Sequence, residues 1–146
     1  MTTENTQIET EMMPDDWNII ELGKIFLWSS GKTRPKNSVK VKTDESPFPV
    51  YGGNGILGYS SEKLFDETKL ILGRVGEYCG CSHLTEEQSW ISDNALYAKT
   101  ILFDISLSYF KYFFEYLDLN RYANKSGQPL ITQPMYTFSI CCINIK

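Results

Sequence analysis

Residues 49–59, Pro49-Val50-Tyr51-Gly52-Gly53-Asn54-Gly55-Ile56-Leu57-Gly58-Tyr59, constrain the chain more than any other stretch. Glycines at this density permit positive φ and tight turns. Lacking side chains, they also let backbone come close to another molecule. The expected layout is a short strand over 48–51 and a turn region over 52–58. Six of the letters, Gly53-Asn54-Gly55-Ile56-Leu57-Gly58, also fit the G-x-G-x-x-G dinucleotide fingerprint. That fingerprint works only where the loop opens a long helix whose N-terminus holds the pyrophosphate. Few residues separate Gly58 from Asp66, and a new strand begins near Lys69. No crossover helix fits, so a nucleotide site is set aside.

Lys69 to Val75 (KLILGRV) is the clearest strand, followed by a second over about 78–84, a turn over 85–89 and a strand over about 95–99. Residues 17–20 read as a short strand, 22–27 as either helix or strand, 29–46 as a long basic loop ending at Pro47, and 140–145 as a final strand. One helix stands out over about 104–118. Leu107, Phe110, Phe113, Phe114 and Leu117 fall at helical spacing and form an apolar stripe for the core. Asp104 is its expected N-cap. Five or six short strands and one main helix predict an α+β fold, a small curved, mixed β-sheet in a single domain. A length of 146 residues suits one such domain. Residues 1–16 are expected to be a disordered acidic tail and 17–146 the folded unit.

No apolar run approaches the roughly 18–20 residues that cross a bilayer, and the polar start is unlike a signal peptide. The expected compartment is the cytoplasm, where Cys79, Cys81, Cys141 and Cys142 would be thiols. Net charge is −4, but the first sixteen residues hold five acids and no base. Residues 17–146 have fourteen bases against thirteen acids. Within residues 24–42 there are six bases, Lys24, Lys32, Arg34, Lys36, Lys40 and Lys42, and no acid. Such a segment either lies along a phosphate backbone or forms a solvated loop.

Other chemistry is weaker. Cys79-Gly80-Cys81-Ser82-His83 places three potential metal ligands at alternate positions, which a strand would project from one face. A fourth ligand at metal spacing is lacking unless Cys141 or Cys142 folds over. Glu67-Thr68-Lys69 matches the tail of a metal-dependent nuclease motif, but Glu67 precedes the strand and no upstream Asp accompanies it. His83 is the only histidine and has no nucleophile constellation around it. The chain is expected to be non-catalytic, with no cofactor and no metal of its own.

Four landmarks in order give a more specific reading. Trp17-x4-Leu22-Gly23-x-Ile25 with Ser30-Gly31-Lys32-Thr33 comes first, and the 49–59 block second. Ile71-Leu72-Gly73-Arg74-Val75-Gly76 through Tyr78-Cys79-Gly80 leads to Trp90-Ile91-Ser92-Asp93-Asn94-Ala95-Leu96-Tyr97. The helix and Gly127-Gln128-Pro129-Leu130-Ile131-Thr132-Gln133 close the series. Over about residues 17–133 the chain resembles a target-recognition domain of the DNA specificity subunits of type I restriction–modification systems.

The resemblance implies a sequence-specific reader of double-stranded DNA. It implies as partners a methyltransferase (modification) subunit and a restriction subunit, with a second specificity half completing the site. S-adenosylmethionine would be bound only by the methyltransferase. The family continues into a strand, a proline-rich stretch and a long spacer helix, which the apolar stretch Phe138–Lys146 does not resemble. One recognition domain without its spacer is therefore expected. The alternative is a truncated or decoy domain that pairs with protein partners and reads no DNA.

In a DNA reader, Lys32, Arg34, Lys36 and Lys125 would contact phosphates, which position without specifying. Tyr51, Asn54 and Tyr59 would be presented by the glycine block, and Asn94 by the stretch from Trp90 to Tyr97. Asn54 and Gln128 can pair with adenine in a bidentate manner. Arg74 would bond guanine or a phosphate, or else form a buried pair with Glu77 or Asp93.

Overall fold

The computed structural model describes residues 15–123 and 140–143. Its elements in chain order begin with β1 (Asn18–Glu21), a 3-10 turn (Leu22–Lys24) and β2 (Phe26–Ser30). Next come strands β3 (Phe48–Gly52), β4 (Gly55–Ser60), β5 (Leu70–Gly73), β6 (Ser82–Leu84), β7 (Trp90–Ile91) and β8 (Ala95–Ile101). Helix α1 (Leu107–Leu117), a 3-10 turn (Leu119–Tyr122) and β9 (Ile140–Ile143) complete the described chain. The α+β expectation holds. No described helix is long and apolar enough to cross a membrane.

The strands form a four-stranded sheet ordered β2-β8-β5-β6, a three-stranded sheet ordered β4-β3-β7, and an antiparallel pair of β1 with β9. Strand alternation sorts the core into two layers. Leu70 and Leu72 of β5, with Leu96 and Ala98 of β8, face the helix and pack with Phe26, Phe110 and Phe114. Ile71 of β5 and Ala95 of β8 point the other way and pack with Tyr51 and Ile91 of the smaller sheet. The four-stranded sheet is thus covered on both faces. That is why β5 reads as an unbroken apolar run, all four of its residues being buried. Phe110 and Phe114 fasten the helix, the Phe110 ring meeting Phe26 edge-on at 4.9 Å between centroids. Full burial of each contributes about 1.5–3 kcal/mol.

Several expectations are corrected. The helix starts at Leu107, and its cap is Ser106, whose hydroxyl accepts from the Tyr109 N–H at 3.3 Å. Asp104 lies too early in the chain to serve as that cap. The helix stops where Asp118 enters the left-handed region at φ 48°. The turn region expected over 52–58 is narrower: only Gly53 and Asn54 lie between the paired Gly52 and Gly55, and β4 already runs through Gly58. Nine strands are present among the described residues, against five or six expected. The additional ones include β7, two residues long and parallel to β3.

Candidate nucleic-acid interface

The first three landmarks, far apart in sequence, meet at one junction. Hairpin β3–β4 turns at Gly53-Asn54, and Gly55 takes φ 103°, a conformation open to glycine. The tip then lies backbone against backbone on the end of β5. A Cβ placed on Gly73 would stand 2.4 Å from the Gly53 carbonyl oxygen. A Cβ on Gly53 would stand 3.3 Å from the Asn94 carbonyl oxygen. The Arg74 N–H donates to that same Asn94 oxygen at 2.9 Å. On the neighbouring side the Lys32 N–H donates to Ile91 O at 2.9 Å, and Gly31 N–H to Ala95 O at 3.1 Å. A Cβ on Gly31 would sit 2.1 Å from Ser92 O, so only glycine allows this approach.

The junction displays Lys32, Asn54, Arg74 and Asn94, all exposed, at the ends of different strands. Arg74 donates from Nη1 to Ser30 Oγ at 3.3 Å. It forms no ion pair with Glu77 or Asp93, which corrects the buried-pair alternative. The basic loop lies along β4. Val39 and Tyr59 exchange backbone hydrogen bonds of 2.8 and 2.7 Å. Arg34 donates from Nε to Ser38 Oγ at 2.6 Å and from Nη2 to Leu57 O at 3.5 Å. Lys36 is exposed in the same loop, and Tyr59 is half-buried beneath it. Lys24, Lys63, Lys69 and Lys111 each pair with a nearby carboxylate. Lys32, Arg34, Lys36, Lys40, Lys42 and Arg74 do not, among the described residues. None of these six cations is tied up in a direct ion pair among the described residues.

Tyr51 does not belong to the face. It is 6% exposed, and its hydroxyl oxygen accepts from the Glu86 N–H at 3.0 Å. Burial pushes its phenol pKa up, so it is a neutral core residue bracing the hairpin. Lys125 and Gln128 lie outside the described residues.

The geometry lends no support to two other readings. Cys79, Cys81 and His83 do not share a strand face, because β6 begins only at Ser82 and Gly80 at φ 87° breaks the alternation. Cys79 is buried, with the Asn120 amide 3.5 Å from its sulfur. Among the described residues no group of three His, Cys, Asp or Glu side chains is placed to hold a metal. Glu67 precedes β5, and its carboxylate pairs with Lys69 at 2.5 Å.

Three contributors carry no signal in the sequence. Ser30 holds Arg74. Asn120 donates to the carbonyls of Glu77 and Cys79 at 2.9 Å each, fixing the loop after Arg74. Leu57 is an exposed apolar side chain beside the tip. Nothing in the local pattern assigns these roles, because each acts through neighbours remote in sequence.

No family model matches the chain. It is 31% identical over 109 residues to the type I restriction enzyme EcoprrI specificity subunit of Escherichia coli, a match covering 74% of this chain and 27% of that protein. The chain therefore spans about a quarter of the length of that relative. The crystal structure of a type I restriction–modification S subunit from M. genitalium superposes with a TM-score of 0.71 at 13% identity, over 87% of this chain and 34% of that one. The HsdS subunit from Thermoanaerobacter tengcongensis gives 0.59 at 13% identity, over 97% of this chain and 41% of that one. At such identities these structures establish the fold, and the sequence match adds kinship. The resemblance read from the four landmarks is borne out.

Proposed function

We propose, on the premise that this chain carries a recognition domain of the type I specificity-subunit kind, that it reads a short sequence of double-stranded DNA. It is non-catalytic and directs a partner methyltransferase, which binds S-adenosylmethionine, and a restriction subunit to that site. The observation that carries this reading is the junction of Gly31, Gly53 and Gly73, which gathers Lys32, Asn54, Arg74 and Asn94 beside a loop whose five cations form no direct ion pair among the described residues. Lys32, Arg34 and Lys36 hold phosphates and fix the register. Asn54 and Asn94 carry amides able to pair with adenine, and Arg74 a fork able to pair with guanine. Tyr59 braces the loop against β4. Lys125 and Gln128 remain proposed contacts from outside the described residues.

Selection of bound duplexes from a random pool tests this. Enrichment of a few defined base pairs is the expected result. Asn54→Ala should alter the enriched set, whereas Arg34→Ala should weaken every duplex alike. A pool that stays random after repeated rounds overturns the reading.

A further inference from the structure

Beside the hairpin tip, among the cations of the basic loop, a few aliphatic side chains are exposed, Val39, Ile56 and Leu57, the last at 39% exposure. Its position is built. Val50 pairs with Gly58 and Tyr51 with Ile56, so Leu57 is the extra residue of a β-bulge. Bulges re-aim a side chain. Here the leucine lies across Gly52, where a Cβ would come within 2.6 Å of Leu57 Cδ1. The Leu57 carbonyl accepts from Arg34 Nη2 at 3.5 Å, and the guanidinium is itself tied to Ser38. An apolar group is thus fixed next to a phosphate-seeking cation. Along the major-groove edge of DNA the apolar group on offer is the C5-methyl of thymine.

Resting on the DNA-reading proposal above, we infer that Leu57 is a specificity-determining residue that packs against a thymine methyl in the target. The positive charge around it favours a nucleic acid over an apolar protein partner.

The test uses the full chain and a duplex obtained by selection. Each thymine is replaced in turn by deoxyuridine, which removes only the methyl group, and the Kd is measured by fluorescence anisotropy at fixed salt. At one or two positions the wild-type protein should bind about fourfold more weakly, the equivalent of one buried methylene-sized group. Leu57→Ala and Leu57→Gln should bind the thymine and deoxyuridine duplexes equally at those positions. Thermal denaturation of both variants reports on folding, and the wild-type comparison stands without them. Tolerance of every replacement, a selected site without thymine, or an undiminished preference in the variants overturns the role of Leu57 while leaving DNA reading intact. Failure to bind any duplex overturns both.

Discussion

Replacing Gly73 by alanine probes the junction directly. The new methyl carbon would lie 2.4 Å from Gly53 O and 2.6 Å from Tyr78 O, both backbone atoms. Each must retreat by about 1 Å to reach ordinary contact. Neither is free to do so. Gly73 N–H is bonded to Cys81 O at 2.9 Å and Gly73 O to the Gly80 N–H at 2.7 Å, so the strand end is clamped to the same loop that carries Tyr78. Overpacking of this kind costs about 1–3 kcal/mol, and two rigid contacts place it near the top of that range. The lower entropy of the unfolded alanine chain returns about 0.4–1 kcal/mol. The net loss expected is about 2 kcal/mol, read from urea denaturation as a lower midpoint at unchanged slope. Gly53→Ala serves as the comparison. Its nearest contact is 3.3 Å, so it should cost well under half as much. In binding assays Gly73→Ala should blur base preference, because Asn54 is pushed away from Arg74. A Gly73→Ala protein as stable as wild type would refute the close approach, and with it the claim that glycine is required there.

Three further outcomes rest on particular contacts. Ser106→Ala should cost about 1 kcal/mol through loss of the helix cap, while Asp104→Ala should change stability by less than about 0.5 kcal/mol; chemical denaturation of the pair separates the two. Asn120→Ala removes both bonds to the loop carbonyls and should cost about 1–3 kcal/mol, with faster amide exchange over residues 77–80. His83 is held below its ordinary pKa of 6.5, first by burial and next by the Lys111 charge, with Glu115 opposing. The unfolded chain therefore takes up a proton that the folded one resists, and stability should decline as pH falls below about 6.5. In His83→Gln that part of the decline should be absent from denaturation midpoints taken at a series of pH values.

The large elements were legible because local pattern decides them. The apolar run of β5 and the stripe from Leu107 to Leu117 needed no knowledge of partners. Choices between near-equal local candidates went astray. Asp104 and Ser106 are both able caps, and only the backbone shows which one reaches Tyr109. Tyr51 looked like a presented aromatic because glycines come after it. Its hydroxyl is satisfied by Glu86, thirty-five residues away, which no local pattern reveals. Strand β7 was missed because two residues carry no period, and it exists by pairing in parallel with β3. For the site, the landmarks supplied the residues and the fold supplied their meeting place. Gly31, Gly53 and Gly73 are each explained by another segment's backbone.

The central claim is that the basic loop and the junction beside it bind the phosphate backbone of duplex DNA. Its most direct test is the dependence of duplex affinity on salt. Six bases of the loop and the junction, Lys32, Arg34, Lys36, Lys40, Lys42 and Arg74, have no carboxylate partner among the described residues and are available. If four engage phosphates, the slope of log K against log salt is about −3.6, and affinity falls about a hundredfold between roughly 50 and 200 mM. Arg34→Ala should make the slope shallower by about one on every sequence. Affinity that does not change with salt, or an Arg34→Ala slope equal to that of wild type, would contradict the account.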